Sequence, residues 1–172
     1  MSAEVKDMEG IERTLVLLKP DAVKRGLMGE VVTRFEKAGL KIVAMKLAWA
    51  DKTHAAKHYT EDIAIRRGEK VRQVLLDFIT TGPVLAMVIE GVDAIENIRM
   101  MCGATEPKSA LPGTIRGDYS HMSYKRADIT GKAVENIIHA SSDAKDAAHE
   151  VSLWFNHDEI HEYKTVYEQH TF

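Results

Sequence analysis

Several common devices for binding phosphate or cleaving bonds are missing from these 172 residues. There is no GxxxxGK loop followed by Ser or Thr, no GxGxxG, no GxSxG and no HExxH. P-loop, dinucleotide-binding, nucleophile-elbow and zincin chemistry are therefore excluded. Cys102 is the only cysteine, so no internal disulfide can form and a zinc centre needing two or more cysteines is ruled out. No uninterrupted apolar stretch is long enough to cross a bilayer, and the opening residues MSAEVKDMEG carry charges without an apolar run. A soluble, cytoplasmic protein with no membrane partner is expected. The formal net charge is −3, which leaves little of the clustered positive charge that a nucleic-acid partner needs. The densest basic run, Arg66, Arg67, Lys70 and Arg72, is broken by Glu69 and reads as a solvated helix start.

What is present is enough for one domain spanning residues 1–172, with 45% apolar residues to fill a single core. There is no internal repeat and no low-complexity linker. Thr14 to Leu18 reads as a buried strand stopped at Lys19-Pro20, because proline cannot donate to a ladder. A helix is expected over Gly29 to Ala38, a strand over Leu40 to Ala50, and a short helix capped by Asp51 or Thr53 that reaches Tyr59. From Glu69, the residues Val71, Val74, Leu75, Phe78 and Ile79 recur at helical spacing until Gly82-Pro83 ends the pattern. Val84 to Ile89 reads as a third strand and Val92 to Cys102 as a helix. A long loop then follows, punctuated by Gly103, Pro107, Pro112 and Gly113. Thr114 to Arg116 and Asn136 to His139 read as short extended pieces. Asp143 opens a helix with Ala144, Ala147, Ala148, Val151 and Phe155 inward. The order is α+β, and a ferredoxin-like βαββαβ sandwich is the economical architecture, with hairpin and crossover connections both open.

The segment NIIHASSD, residues 136–143, delivers a histidine from an apolar strand just before a helix start. A neutral imidazole can attack phosphorus through one nitrogen while a hydrogen bond to the other fixes the ring. Glu150 on the following helix is the candidate for that bond, directly or through a hydroxyl such as Ser141. Phosphoryl transfer also needs cations around the moving group. Lys19, Arg99 and Arg116 are candidates. Each alone has a plainer role: a solvated strand end, a helix C-terminal charge, and a partner for Asp118.

Taken together, ERTLVLLKPDAVKRGLMGEV at 12–31, TTGPVLAMVIEG at 80–91, GATEPKSALPGTIRGD at 103–118, then NIIHAS and EVSLWF, resemble the signatures of nucleoside diphosphate kinases. Their order and spacing follow that family over most of residues 12–155. The resemblance implies a ferredoxin-like sandwich with an antiparallel sheet covered by helices. It also implies phosphoryl transfer between nucleoside tri- and diphosphates, by a ping-pong route through phosphorylated His139. Glu150 takes the place of the residue holding the other ring nitrogen. Lys19, Arg99, Thr105 and Arg116 match the phosphate-binding set. Asn136 and Lys19 are placed to meet the ribose, and Tyr59 matches the tyrosine beside the histidine. The family uses nucleotides carrying Mg²⁺, and the ion needs no protein ligand because it binds through substrate phosphates and water. The 103–113 loop matches one that packs between subunits, implying a homo-oligomer, with a hexamer favoured over a tetramer.

Three departures stand out. The segment from Tyr59 to Gly82 is longer than usual and reads Lys70-Val71-Arg72 where relatives carry an aromatic pair. Counting back from Gly82-Pro83 puts Val71 where relatives stack an aromatic on the base. Residues 119–135 are an insertion resembling the longer loop of archaeal members. After His139 the chain reads Ala140-Ser141-Ser142-Asp143 rather than Gly-Ser-Asp-Ser. Two rival classes remain. A catalytically idle nucleotide-binding or interaction domain is opposed by the intact nucleophile, glutamate and cations. A metal protein would rest on the i, i+4 pairs His54/His58 and His157/His161, each with two ligands and no evident third.

Overall fold

A computed structural model describes residues 10–171. In chain order the strands and helices are β1 (Ile11–Leu18), α1 (Pro20–Lys24), α2 (Met28–Lys37), β2 (Lys41–Ala48), α3 (Lys52–His58), α4 (Glu61–Arg67) and α5 (Glu69–Ile79). Then come β3 (Val84–Val92), α6 (Ala94–Cys102), α7 (Ile115–Tyr119), α8 (Tyr124–Thr130), β4 (Ile138–Ala140), α9 (Ala144–Trp154) and α10 (Glu168–Thr171). The sheet order is β2-β3-β1-β4, and every pairing is antiparallel. Since β1 and β2 both run against β3, the β1-to-β2 link through α2 is a crossover, and so is the β3-to-β4 link through α6. Two such units interlocked make the ferredoxin-like sandwich that the sequence led us to expect.

Both central strands are apolar on both faces because both faces are covered. Leu15, Leu17, Val84, Ala86 and Val88 share one core with Ala55, Tyr59, Ile79, Val151 and Trp154 from α3, α5 and α9 and the turns beside them. Val16, Leu18, Met87 and Ile89 share the other with Val31, Phe35, Ala94 and Ile98 from α2 and α6. Leu15 to Leu18 are all fully buried, so truncating one to alanine should cost about 2–5 kcal/mol. Asp51 is the cap of α3, its carboxylate accepting the His54 amide at 2.7 Å.

Four expectations need correction. Thr114 to Arg116 is not extended: the Thr114 hydroxyl accepts the Gly117 amide at 3.2 Å and starts α7. Asp118 does not pair with Arg116, but takes Arg34 at 2.5 Å and the Gly113 amide at 2.7 Å. The inward face of α9 is Ala147, Glu150, Val151 and Trp154, while Ala144 and Ala148 are exposed. The 119–135 insertion is not all loop, since Ser123 caps α8 by accepting the Arg126 amide. The sequence's opening nine residues, read for targeting signals, lie outside the described residues.

Candidate active site

His139 sits in β4, an edge strand, opposite Leu17 of β1. Cross-strand partners share a face, so the imidazole enters the layer built by α3 and α9. Just before it the backbone is bent hard. The Ile138 amide donates to the Asn136 carbonyl at 2.8 Å, closing a γ-turn centred on Ile137 at φ +73°. That form is rare and strained, more so for a β-branched residue. Ile137 is held there by its surroundings: its side chain is fully buried, its amide donates to Asp21 Oδ2 at 2.9 Å, and its carbonyl accepts the Lys19 amide at 2.7 Å. The KPD segment after β1 thus fixes the turn that aims the histidine.

Glu150 meets His139 directly. Its two oxygens lie 2.9 and 3.0 Å from Nε2. Ser141 is not a relay between them but a brace behind the carboxylate, with Oγ donating to Glu150 Oε2 at 2.6 Å and accepting the Leu15 amide at 3.3 Å. An anionic acceptor on Nε2 fixes the proton there and leaves Nδ1 as the ring nitrogen with a free lone pair. The imidazole is half-buried and Glu150 is buried.

Most of the phosphate candidates are tied to the segment that carries this ring. Lys19 Nζ donates to Asn136 Oδ1 at 2.7 Å, and Asn136 Nδ2 donates to the Thr105 carbonyl at 2.8 Å. Arg116 gives one N–H each to the carbonyls of Gly103 at 2.6 Å, Ile138 at 2.7 Å and Asn136 at 3.4 Å. A guanidinium has five donors, so two remain for a ligand. Much of the Arg116 fork is therefore architecture. Arg99 is the exposed fork of the pair, and its hydrogen bond among the described residues goes to the Ser141 carbonyl at 3.5 Å. Gly103 sits between them at φ +78°, and a Cβ there would meet Thr114 Oγ1 at 2.4 Å. Thr105 is exposed, so its hydroxyl can face a ligand.

Burial with Arg116 beside it lowers the Lys19 pKa to about 8. Burial likewise lowers the Arg116 value, with Arg99 adding to it. Tyr59 is pushed up by burial and by the Glu150 charge, so its buried, unpartnered hydroxyl keeps its proton as a donor. Cys102 is buried and raised to about 11, which removes it as a rival nucleophile near neutral pH. Val71 stands apart from this cluster, 40% exposed in the first turn of α5, where Arg72 donates to the Tyr59 carbonyl at 2.9 Å.

Comparisons with known proteins identify the family. Residues 12–160 match the family model described as nucleoside diphosphate kinase. The chain belongs to the nucleoside diphosphate kinase family. Its relatives include the nucleoside diphosphate kinases of Pyrococcus furiosus, 52% identical over 91% of this chain and 90% of that one, and of Borreliella burgdorferi, 49% over 90% and 93%. Among solved structures, a transition-state mimic of the Borrelia burgdorferi enzyme with vanadate and ADP has a TM-score of 0.92 at 47% identity, covering 94% of this chain and 97% of that one. The Halobacterium salinarum enzyme in complex with CDP gives 0.80 at 39%, covering 92% and 96%. Family membership makes this chain a phosphotransferase acting on nucleotides.

Sequence reasoning missed two contributors, Asp21 and Trp154, and weighed a third, His58, only as half of a metal-binding pair with His54. Asp21 holds the strained turn and lies inside the KPD run, where a carboxylate after a strand-ending proline was a usable signal. Trp154 and His58 pack behind the nucleophile: the His58 ring meets His139 at 4.6 Å and Trp154 at 5.8 Å. His58 shares the inward face of α3 with Ala55, three residues earlier, which a helical projection could have revealed.

Proposed function

We propose that this single domain moves the terminal phosphoryl group from a nucleoside triphosphate to a nucleoside diphosphate through a phosphoenzyme at His139 Nδ1. The observation that carries the proposal is the double contact of Glu150 with Nε2, which leaves Nδ1 as the nucleophile. Nδ1 attacks the γ-phosphorus, the bond to the β-bridging oxygen breaks, and the first nucleoside diphosphate departs. Positive charge appears on the imidazole in this step, and the Glu150 carboxylate stabilises it. The second diphosphate then attacks the same phosphorus and restores the ring.

Lys19, Arg99 and Arg116 supply the charge that the transferring group needs, and Thr105, Asn136 and Tyr59 supply neutral donors. That set contains cations and neutral groups, so Mg²⁺ comes as part of the nucleotide substrate, on its phosphates and water. Val71 and the start of α5 are the side toward which the base extends. The enzyme works in the cytoplasm as a homo-oligomer, a hexamer or a tetramer. Self-association is supported by the 73% exposure of Leu111 in the 103–113 loop and by Met45, Leu47 and Trp49 at 52%, 58% and 68% on or beside edge strand β2.

Two measurements test the central reading. Initial rates over both nucleotides should give parallel double-reciprocal lines; intersecting lines would exclude a free phosphoenzyme. Light scattering tests the assembly, and a monomer at micromolar concentration would remove that part.

A further inference from the structure

The inserted segment 119–135 is fastened to the residues that flank the proposed phosphate contacts. Ser120 Oγ donates to the Glu135 carbonyl at 3.1 Å, directly before Asn136. The Lys108 amide donates to the Met122 carbonyl at 3.0 Å. Glu106 joins the loop to the inserted helix: its Oε1 accepts the Tyr124 amide at 2.8 Å, and its Oε2 accepts the Ser109 hydroxyl at 3.0 Å. The residue before it is Thr105, whose carbonyl holds Asn136 Nδ2 at 2.8 Å.

We propose that Glu106 is a positioning residue for Thr105, and that α8 of the insertion is the anchor it holds. The proposal deepens the reading above and rests on it, since it takes Thr105 as a phosphate contact. Thr105 is exposed and lies in a bend outside helix and strand, so no regular backbone ladder fixes it. Its place depends on Asn136 at its own carbonyl and on Glu106 one residue further on.

The anchor has a physical basis. Tyr124 is the first helical residue of α8, so its amide has no partner within the helix. The Ser123 hydroxyl takes the Arg126 amide, and Glu106 takes that of Tyr124. Ala127 of α8 and Ala133 after it are buried, which packs the insertion down on the domain. A free carboxylate beside a phosphate contact works against the charge of the ligand. With one donor on each oxygen, Glu106 is held in a single orientation by charge-assisted bonds. Ordering a loop on binding costs free energy, so a clasped Thr105 meets a phosphate more tightly than a free one.

The test reads ADP binding to the full chain by calorimetry. Glu106→Ala should weaken it about 3–10-fold, as expected for the loss of one or two hydrogen bonds. Glu106→Gln should restore most of the affinity, because its amide oxygen still accepts the Tyr124 N–H and its NH₂ can donate to the Ser109 oxygen. In a Thr105→Ala background, Glu106→Ala should add nothing further, since it acts through Thr105. Tyr124→Pro deletes the one N–H that Glu106 takes from α8, at a position where a helix tolerates proline. It should bind ADP more weakly than Tyr124→Ala, which keeps that N–H, by a similar factor. Where Glu106→Ala fails to fold, the Tyr124 pair carries the test alone. Additive losses in the double variant, no rescue by Glu106→Gln, or equal affinities in the Tyr124 pair would overturn the proposal. Full ADP affinity in Thr105→Ala would overturn it too, while leaving the phosphoenzyme standing. A protein that never takes label from ATP would count against the phosphoenzyme and not against the clasp, because the test reads binding.

Discussion

At the phosphate end of the nucleotide site, Lys19, Asn136 and Arg116 are 6%, 3% and 8% exposed and are tied to one another or to backbone carbonyls. At the proposed base end, Val71 of α5 is 40% exposed, and the preceding helix α4 buries no residue at all. The difference teaches where this enzyme spends its rigidity. The groups proposed to stabilise a moving phosphoryl group are held by buried contacts, beside a strained turn at Ile137. The side proposed for the base is left exposed instead.

The comparison breaks most completely at the nucleophile. His139→Ala should lower transfer roughly 10⁴-fold or more while changing the ADP dissociation constant only a few-fold, since bond-making and binding use different side chains. Calorimetry with ADP beside steady-state assays would check this, and a large loss of binding would show that the phosphate end is not independent of the ring. Arg116→Lys comes next. An ammonium cannot reach three carbonyls at once, so stability should fall by about 2–4 kcal/mol in denaturant unfolding and the transfer rate should fall with it. Arg99→Lys, with its exposed and nearly unpartnered fork, should leave stability unchanged and affect nucleotide kinetics alone.

Glu150→Gln should slow single-turnover phosphorylation about 10–100-fold without weakening ATP binding, because an amide orients the ring but does not offset its charge. The pH dependence follows from Lys19. Its pKa near 8 means the free enzyme carries the charge below that pH and loses it above. Phosphate binding favours the charged form, so ADP affinity should fall as pH rises from about 7 to about 9, with proton uptake on binding detectable in buffers of different ionisation enthalpy. A flat profile would show that Lys19 is fully charged or unused. The smallest effect is expected at the base: Val71→Phe should tighten diphosphate binding up to about tenfold, within the roughly 1–3 kcal/mol that stacking supplies, and leave the chemical step unchanged.

Much of the site was legible in the sequence because its residues sit at punctuation points. Lys19 precedes a strand-ending proline, Arg99 lies in the last turn of α6, and His139 ends an apolar run. The strands were readable for the same reason, since both sheet faces are covered and the runs are continuously apolar. The strand order was not, because Gly39 and Gly82-Pro83 permit a hairpin as well as a crossover. What stayed hidden depends on contacts between residues distant in sequence. The Arg116 fork is committed to carbonyls as many as 22 positions away, and Asp21 reaches Ile137 across 116 positions. The inward turn of Trp154 was missed because an alanine-rich helix offers several plausible faces, whereas Glu150 was expected to meet His139.

The most direct test of the account is to locate the phosphorus on the enzyme. Protein labelled with ¹⁵N in its histidines is incubated with Mg-ATP and freed of nucleotide under alkaline conditions. Coupling between phosphorus and ring nitrogen is then read by NMR. The account predicts an acid-labile, base-stable phosphoryl group on Nδ1 of His139, with Nε2 still protonated toward Glu150. Phosphorus on Nε2, on another residue, or nowhere on the protein would contradict it.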